Sequence, residues 1–83
     1  MTHIIKNYTF KHQGTDYLAY AKSTYEVEHD AEIGLEAVFD SVELTECIGP
    51  KGFVPTQELR DMEDSLLIAL NKDGHLCRVL GTR

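Results

Sequence analysis

The most regular hydrophobic pattern in the chain lies between Pro55 and Gly74, where apolar side chains recur at steps of three and four residues. This spacing places them on one face of an α-helix. Pro55 cannot extend a helix backwards, Thr56 can cap the first N–H groups, and Gly74 allows a left-handed end. The sequence therefore predicts an amphipathic helix over residues 56–72 that must cover a sheet. Its apolar stripe consists of Leu59, Met62, Leu66, Ala69 and Leu70.

Two segments near the start of the chain show the period of two that is typical of β-strands. Residues 3–11 carry Tyr8 and Phe10 at alternating positions, and residues 16–27 continue the alternation after a short gap. Gly14 lies in that four-residue polar gap, which indicates a hairpin because glycine takes positive φ without steric cost. The second strand has apolar side chains on both faces, so we expect it to be central.

A third strand is predicted over residues 35–48, after a polar connection at 28–34. Phe39 breaks the alternation of this strand, so we expect a β-bulge near Phe39 and Asp40. After the helix, residues 75–81 alternate again and predict a short closing strand. In the third strand, the residues expected to share one face are Val38, Asp40, Val42 and Leu44.

This order of elements predicts an α+β fold, in which a three- or four-stranded antiparallel meander carries one amphipathic helix on one face. Residues 1–83 are expected to form a single domain. The other sheet face is expected to be open. Four tyrosines either lie on that open face or fill the edge of the core with their hydroxyls in water. They are Tyr8, Tyr17, Tyr20 and Tyr25.

Length and composition are those of a small globular protein: 83 residues, with 42% hydrophobic and 27% charged. The first residues lack the apolar run of a signal peptide, and no stretch approaches the roughly 18 apolar residues of a membrane span. We therefore expect a cytoplasmic protein without membrane contact. In that reducing compartment, Cys47 and Cys77 are expected to be reduced thiols of the core.

No residue pattern predicts a metal or catalytic site. His75 and Cys77 form a single close pair, whereas structural zinc sites usually show two such pairs. His29 and Asp30 lie among acids but lack the loop glycine of a calcium site. No glycine-flanked nucleophile and no phosphate-binding glycine loop is present in the sequence. We expect a protein that is not an enzyme and has no catalytic residue, cofactor or metal.

The net charge of −6 is unevenly distributed along the chain. Residues 26–64 carry twelve acids against two basic residues, for −10, whereas residues 1–25 and 65–83 carry +2 each. The total argues against direct binding of nucleic acid, which requires a basic surface. Carboxylates at every second strand residue recur at about 6.6 Å, close to the phosphate spacing of a nucleic acid. Such a surface attracts a basic groove on a protein that handles nucleic acids.

The predicted partner-binding site is therefore an acidic surface, and the expected partner is a protein with a basic surface. The alternative is that these side chains are only the hydrated exterior of a soluble acidic protein. The pattern leaves open whether they form one surface or two. The residues are Glu26, Glu28, Asp30, Glu32, Glu36, Asp61, Glu63 and Asp64.

Two stretches, YTFKHQGTDYLAY and PTQELRDMEDSLLIAL, give an aromatic strand, a glycine hairpin and, after an acidic strand, an acidic amphipathic helix. In this layout the chain resembles the small accessory proteins of tailed bacteriophages. The resemblance implies a non-enzymatic inhibitor, of host-takeover or anti-defence type, that blocks a host enzyme or a defence complex in the bacterial cytoplasm. The alternative is a structural or self-associating protein that forms a homodimer through its open sheet face.

Overall fold

The structure is a computed structural model that describes the backbone of residues 1–30 and 34–80 and the side chains of 1–29 and 36–80. It confirms the predicted α+β fold, because four antiparallel strands form a curled meander to which helices are packed. The molecule is elongated, with extents of 46 × 21 × 17 Å. Its elements are β1 (Thr2–His12), β2 (Thr15–Asp30), β3 (Gly34–Gly49), β4 (Gly52–Phe53), α1 (Thr56–Asp73) and α2 (His75–Leu80).

The sheet has the order β1-β2-β3-β4, so β2 is central, as its two-sided apolar pattern predicts. The hairpin between β1 and β2 turns at Gln13 and Gly14, which both have positive φ, at 51° and 81°. Gly14 therefore lies where the sequence places it. The predicted polar connection at 28–34 is shorter than expected, because β2 continues through Asp30 and β3 starts at Gly34. Strands β2 and β3 have 16 residues each, against 11 in β1.

Two β-bulges in β3 determine which of its side chains face the core. Asp40 has no residue opposite it in β2, and Thr45 is skipped in the same way. The predicted bulge near Phe39 and Asp40 is thus confirmed, but the predicted shared face is wrong, because Val38 and Asp40 lie on the opposite face from Val42 and Leu44. Val38 is exposed, because the bulge at Asp40 changes the phase between the two parts of the strand. The residues on the core side of β3 are Ala37, Phe39, Val42, Leu44 and Cys47.

The sheet thus has an inner face, which carries the core, and an outer face. Helix α1 packs on the inner face between β1 and β3 and buries the predicted stripe, with Ala69 only half-buried. Gly74 ends α1 in the left-handed conformation at φ 70°, as predicted. The predicted cap at Thr56 is wrong: the N-cap position belongs to Pro55, whose carbonyl accepts the Glu58 N–H at 2.9 Å. Thr56 already lies in the first helical turn, so its side chain makes no capping hydrogen bond.

Helix α1 also binds the backbone of β3 along the strand edge that faces away from β2. The Asn71 amide accepts the Phe39 N–H at 2.9 Å and donates to the Phe39 carbonyl at 3.1 Å, as a neighbouring strand would. Nearer the start of the helix, Glu63 accepts the Leu44 N–H at 2.8 Å, and Arg60 donates to the Leu44 carbonyl at 3.5 Å. The edge of β3 is therefore closed by side chains instead of by a fifth strand.

The segment after Gly74 is a short helix, so the predicted closing strand at 75–81 is wrong over its described part, residues 75–80. Leu76 and Cys77 are adjacent and both buried, which a strand with a period of two cannot achieve. Within α2, the Arg78 N–H donates to the Gly74 carbonyl at 3.1 Å. The Cys77 thiol donates to the Ala37 carbonyl at 3.4 Å and so joins α2 to β3.

The start of α2 is held by aromatic contacts around His75. Its ring centroid lies 5.2 Å from that of Tyr8, 5.9 Å from that of His3 and 6.5 Å from that of Phe39. Burial lowers the pKa of His75 from its ordinary value of 6.5, and the charges of His3 and Arg78 add to this effect, while Asp73 opposes it. Asp73 and Arg78 also form an ion pair beside the ring. The packing of α2 therefore favours a neutral imidazole at position 75.

Replacing Leu66 by alanine should lower the free energy of unfolding by about 2–5 kcal/mol, because this side chain is 0% exposed and its loss leaves a cavity. Denaturant titration measures the change. Ile68→Ala is the matched control, since Ile68 lies on the same helix but is 66% exposed, and its cost should stay below about 1 kcal/mol. Equal costs at the two positions would show that the helix does not pack in this orientation.

Stability should fall as the pH is lowered through about 6.5, because the unfolded chain binds a proton at His75 more tightly than the folded chain does. Above that range the free energy of unfolding carries no penalty from His75. As the pH falls below it, the free energy of unfolding decreases until the pH reaches the lowered pKa of the folded state. Denaturant midpoints at several pH values, kept above the range where carboxylates titrate, measure this. The His75→Gln variant should show a weaker dependence, and an unchanged dependence would contradict the prediction.

Candidate functional site

Four carboxylates lie close together on the outer face of the sheet. They are at the end of the paired strands β2 and β3 that is farthest from β4. In the strand register, Glu26 lies opposite Val38 and Glu28 lies opposite Glu36. With the bulge residue Asp40, these side chains line one shallow depression. We call Glu26, Glu28, Glu36 and Asp40 the acidic cluster; all four are exposed, and Val38 at their centre is 44% exposed.

No cation neutralises the acidic cluster within the described residues. The ion pairs formed there are Lys11–Asp16, Arg60–Glu63 and Arg78–Asp73, and none includes a carboxylate of the cluster. Like charges directly opposite one another on neighbouring strands are destabilising. The Glu28–Glu36 pair therefore costs stability in the isolated protein, and a basic partner would remove that cost.

The structure brings together three of the predicted partner-binding residues, Glu26, Glu28 and Glu36. It adds Asp40, which the sequence pattern places on one strand face with apolar neighbours. The backbone of Asp30 pairs with Gly34, and its side chain lies outside the described residues. Glu32 also lies outside them.

The predicted acids of the helix lie elsewhere, because α1 packs on the inner face and the acidic cluster occupies the outer face. Asp61 and Asp64 are exposed, whereas Glu63 is half-buried and already accepts hydrogen bonds from Leu44 and Arg60. Glu63 therefore stabilises the edge of β3 and is not displayed on an open turn. The predicted residues form two separate surfaces.

The other half of the outer face carries an apolar row that crosses the sheet. Leu18 of β2 lies opposite Ile48 of β3, and Ile48 lies opposite Phe53 of β4, which is 70% exposed. This row is not among the residues that the sequence predicts, although the apolar residues on the second face of β2 were a signal for it. The outer face thus carries an apolar row near β4 and the acidic cluster at the opposite end.

The tyrosines do not form the open face. Tyr8, Tyr17 and Tyr25 are half-buried on the inner side, and only Tyr20 lies on the outer face, where its hydroxyl donates to Asn7. Tyr17 and Tyr25 face inwards because the odd-numbered residues of β2 face the core, and Tyr8 of β1 faces inwards because it lies opposite the buried Ala19. Of the two predicted alternatives, a position at the edge of the core therefore holds for Tyr8, Tyr17 and Tyr25, and the open face holds only for Tyr20.

The cysteine, histidine and serine side chains that could act in catalysis are instead buried in the core or join one element of the fold to another. Cys47 is 1% exposed, and burial raises the pKa of its thiol, which disfavours the nucleophilic thiolate. The Nδ1 atom of His12 lies 2.7 Å from the Ser65 hydroxyl. A nucleophilic serine also needs an acid that orients the imidazole and N–H donors for an oxyanion. Within the described residues no carboxylate binds His12, and Ser65 lies in the middle of α1, so this pair serves to join β1 to α1.

The described part of the chain contains no group of three or more histidine, cysteine or acidic side chains arranged to hold a metal ion. None of its helices combines the length and the hydropathy needed to cross a bilayer.

No family model matches the sequence, no curated protein matches it, and no solved structure matches the fold. A function for this chain must therefore be inferred from its own surfaces.

Proposed function

We propose that this is a non-enzymatic protein-binding protein that docks its acidic cluster on the basic surface of a partner. The observation that carries the proposal is the convergence of Glu26, Glu28, Glu36 and Asp40 on a sheet face that neither of the described helices covers. Two residues of the cluster face each other as a like-charged pair, an arrangement that packing alone does not require. A role of this like-charged pair in binding a basic partner would account for the arrangement.

The chemistry of the cluster favours a partner that normally binds nucleic acid. Glu26 and Glu28 are two residues apart on one strand, so their side chains leave the same face of the strand at positions about 6.6 Å apart. A row of negative charge with this spacing can occupy a groove built for phosphates and speeds encounter with it. The same charge repels nucleic acid itself. We therefore propose a phage-type inhibitor of a host or defence protein that handles nucleic acids.

The exposed Val38 gives the proposed interface an apolar centre. It is surrounded by the four carboxylates, so a partner that covers it would bury apolar surface inside a charged rim. This is the usual arrangement of a protein interface, with a less polar core and a polar edge. Charge would then determine the rate and specificity of association, and contact with Val38 would slow dissociation.

Reversing two charges of the cluster, with Glu26→Lys and Glu28→Lys together, should abolish capture of a basic partner from bacterial lysate. The wild-type complex should also weaken between about 50 and 200 mM salt, as exposed charges are screened. Affinity capture followed by mass spectrometry identifies the partner, and titration with the purified partner gives the loss of affinity. The fold should be retained, because exposed charges contribute little to stability.

The matched control is the double variant Asp61→Lys and Asp64→Lys, which makes the same change of charge on the exposed side of α1. Its affinity should remain close to that of the wild type. Wild-type affinity in both double variants would contradict the acidic-surface proposal. Loss of binding in the helix variant alone would move the binding site to α1.

A second candidate function is self-association through the apolar row of Leu18, Ile48 and Phe53. It is favoured by the 70% exposure of Phe53, which leaves a large aromatic side chain in solvent at the edge of the sheet. Large exposed apolar groups are common in protein interfaces. This candidate would make the chain a small structural protein that forms a homodimer.

Self-association would appear as a dimer whose fraction rises over a roughly hundredfold range of protein concentration in sedimentation velocity. Phe53→Ser should then shift the chain to monomer. Ile68→Ser should leave the dimer intact, since Ile68 is similarly exposed but lies on α1. A wild-type chain that is monomeric at every concentration would exclude this candidate.

A further inference from the structure

Among the residues that the structure describes, β2 extends beyond the start of β1 and has no neighbouring strand on that side along residues 26–30. The last backbone contact between the two strands joins Met1 and Tyr25. The Tyr25 N–H donates to the Met1 carbonyl, and the amino terminus of Met1 donates to the Tyr25 carbonyl. Beyond Tyr25, β2 continues to Asp30 and pairs only with β3. We call the β2 edge over residues 26–30 the distal edge.

The alternation of the strand gives the direction of the backbone groups along the distal edge. Tyr25 points its N–H and carbonyl towards β1, so Val27 and His29 point theirs the same way, away from β3. Within the described residues, no backbone or side-chain group bonds to them on that side. Val27 and His29 therefore each present one hydrogen-bond donor and one acceptor on the side of β2 that β1 occupies farther along the strand.

The other strand edges carry features that oppose the addition of a strand. Strand β1 has a bulge at Lys6 and Asn7, where Asn7 has a φ of 53°. The edge of β3 is closed by the side chains of α1 described above, and Cys77 covers its far end at Ala37. Open edges bind extended segments readily, and proteins usually block them. In the described residues, the distal edge has no such block apart from its charge.

We propose that the distal edge accepts an extended segment of the partner protein as an added strand that continues the line of β1. This inference rests on the proposed function and specifies how the partner is held. An added strand would place alternate side chains beside Glu26 and Glu28 on the outer face. The side chains of the added strand that lie beside these two acids are basic. The side chains between them face Val27 on the inner side and are apolar. The recognised segment is thus one in which lysine or arginine alternates with apolar residues.

The same geometry disfavours a second copy of this chain at the distal edge. Pairing two distal edges would bring Glu26 and Glu28 of one copy next to the same acids of the other. Like charges on neighbouring strands oppose that pairing. The charge therefore selects a basic segment from another protein and protects the edge against self-association.

The test uses two synthetic peptides of identical composition, one in which lysine and valine alternate and one in which the lysines and the valines form separate blocks. Isothermal titration at low salt measures their affinity for the full chain. The alternating peptide should bind at least about tenfold more tightly, because only it can place lysines on one face of an added strand. Equal affinity would show that charge alone holds the peptide and would overturn the added strand.

The matched protein variants are His29→Pro and His29→Ala. Proline removes the outward N–H of an exposed position and leaves the groups that pair with β3 in place, whereas alanine keeps that N–H. His29→Pro should weaken binding of the alternating peptide at least about tenfold, and His29→Ala should bind like the wild type. Equal binding by the two variants would overturn the proposal.

Amide hydrogen exchange on the wild-type chain gives a readout that does not depend on the folding of the proline variant. The alternating peptide should slow exchange at Val27 and His29, and an unchanged rate would overturn the added strand. The proposed function fails separately, if the Glu26→Lys and Glu28→Lys variant keeps its partner. A partner that is lost in that variant but retained in His29→Pro would support the acidic surface and reject the strand.

Discussion

The packing of α1 against the inner face of the sheet is the interaction on which the rest of the structure depends. It buries Leu66 and Leu70 completely and also supplies hydrogen-bond partners to the backbone of β3 through Asn71 and Glu63. One helix therefore performs two tasks that larger proteins divide between a core element and an additional strand. Without it, the curled sheet would expose both an apolar face and a long open edge.

This arrangement separates the side chains that stabilise the fold from those of the proposed binding surface. The described helices occupy the inner face, and the outer face of the sheet stays open to solvent. Side chains such as Glu28 and Val38 point away from the core, so their replacement should change the proposed binding far more than folding. A fold of this kind could in this way change its outer surface without losing its core.

The elements with strong local signals could be predicted from the sequence. The stripe of α1, the stop at Gly74 and the hairpin at Gly14 each depend on a few neighbouring residues, and the structure confirms them. Helix α2 could not be predicted, because six residues are too few to distinguish a period of two from a helical turn. The acidic cluster was predicted only in part, since the position of Asp40 depends on the pairing of β2 with β3 across distant residues. The bonds between Asn71 and Phe39 likewise join residues far apart in the chain.

The bulges of β3 have a consequence for how this chain can change over generations. Each bulge places two neighbouring exposed residues where the alternation needs one, so either Asp40 or Ser41, and either Thr45 or Glu46, could be lost while the residues on both sides keep their faces. A deletion between the two bulges, at Val42 or Glu43, would instead turn the far end over, with Phe39 in solvent and Glu36 in the core. Descendants of this protein can therefore shorten β3 most easily at its two bulges, and loss of Asp40 would remove one of the four carboxylates while the other three stay in place.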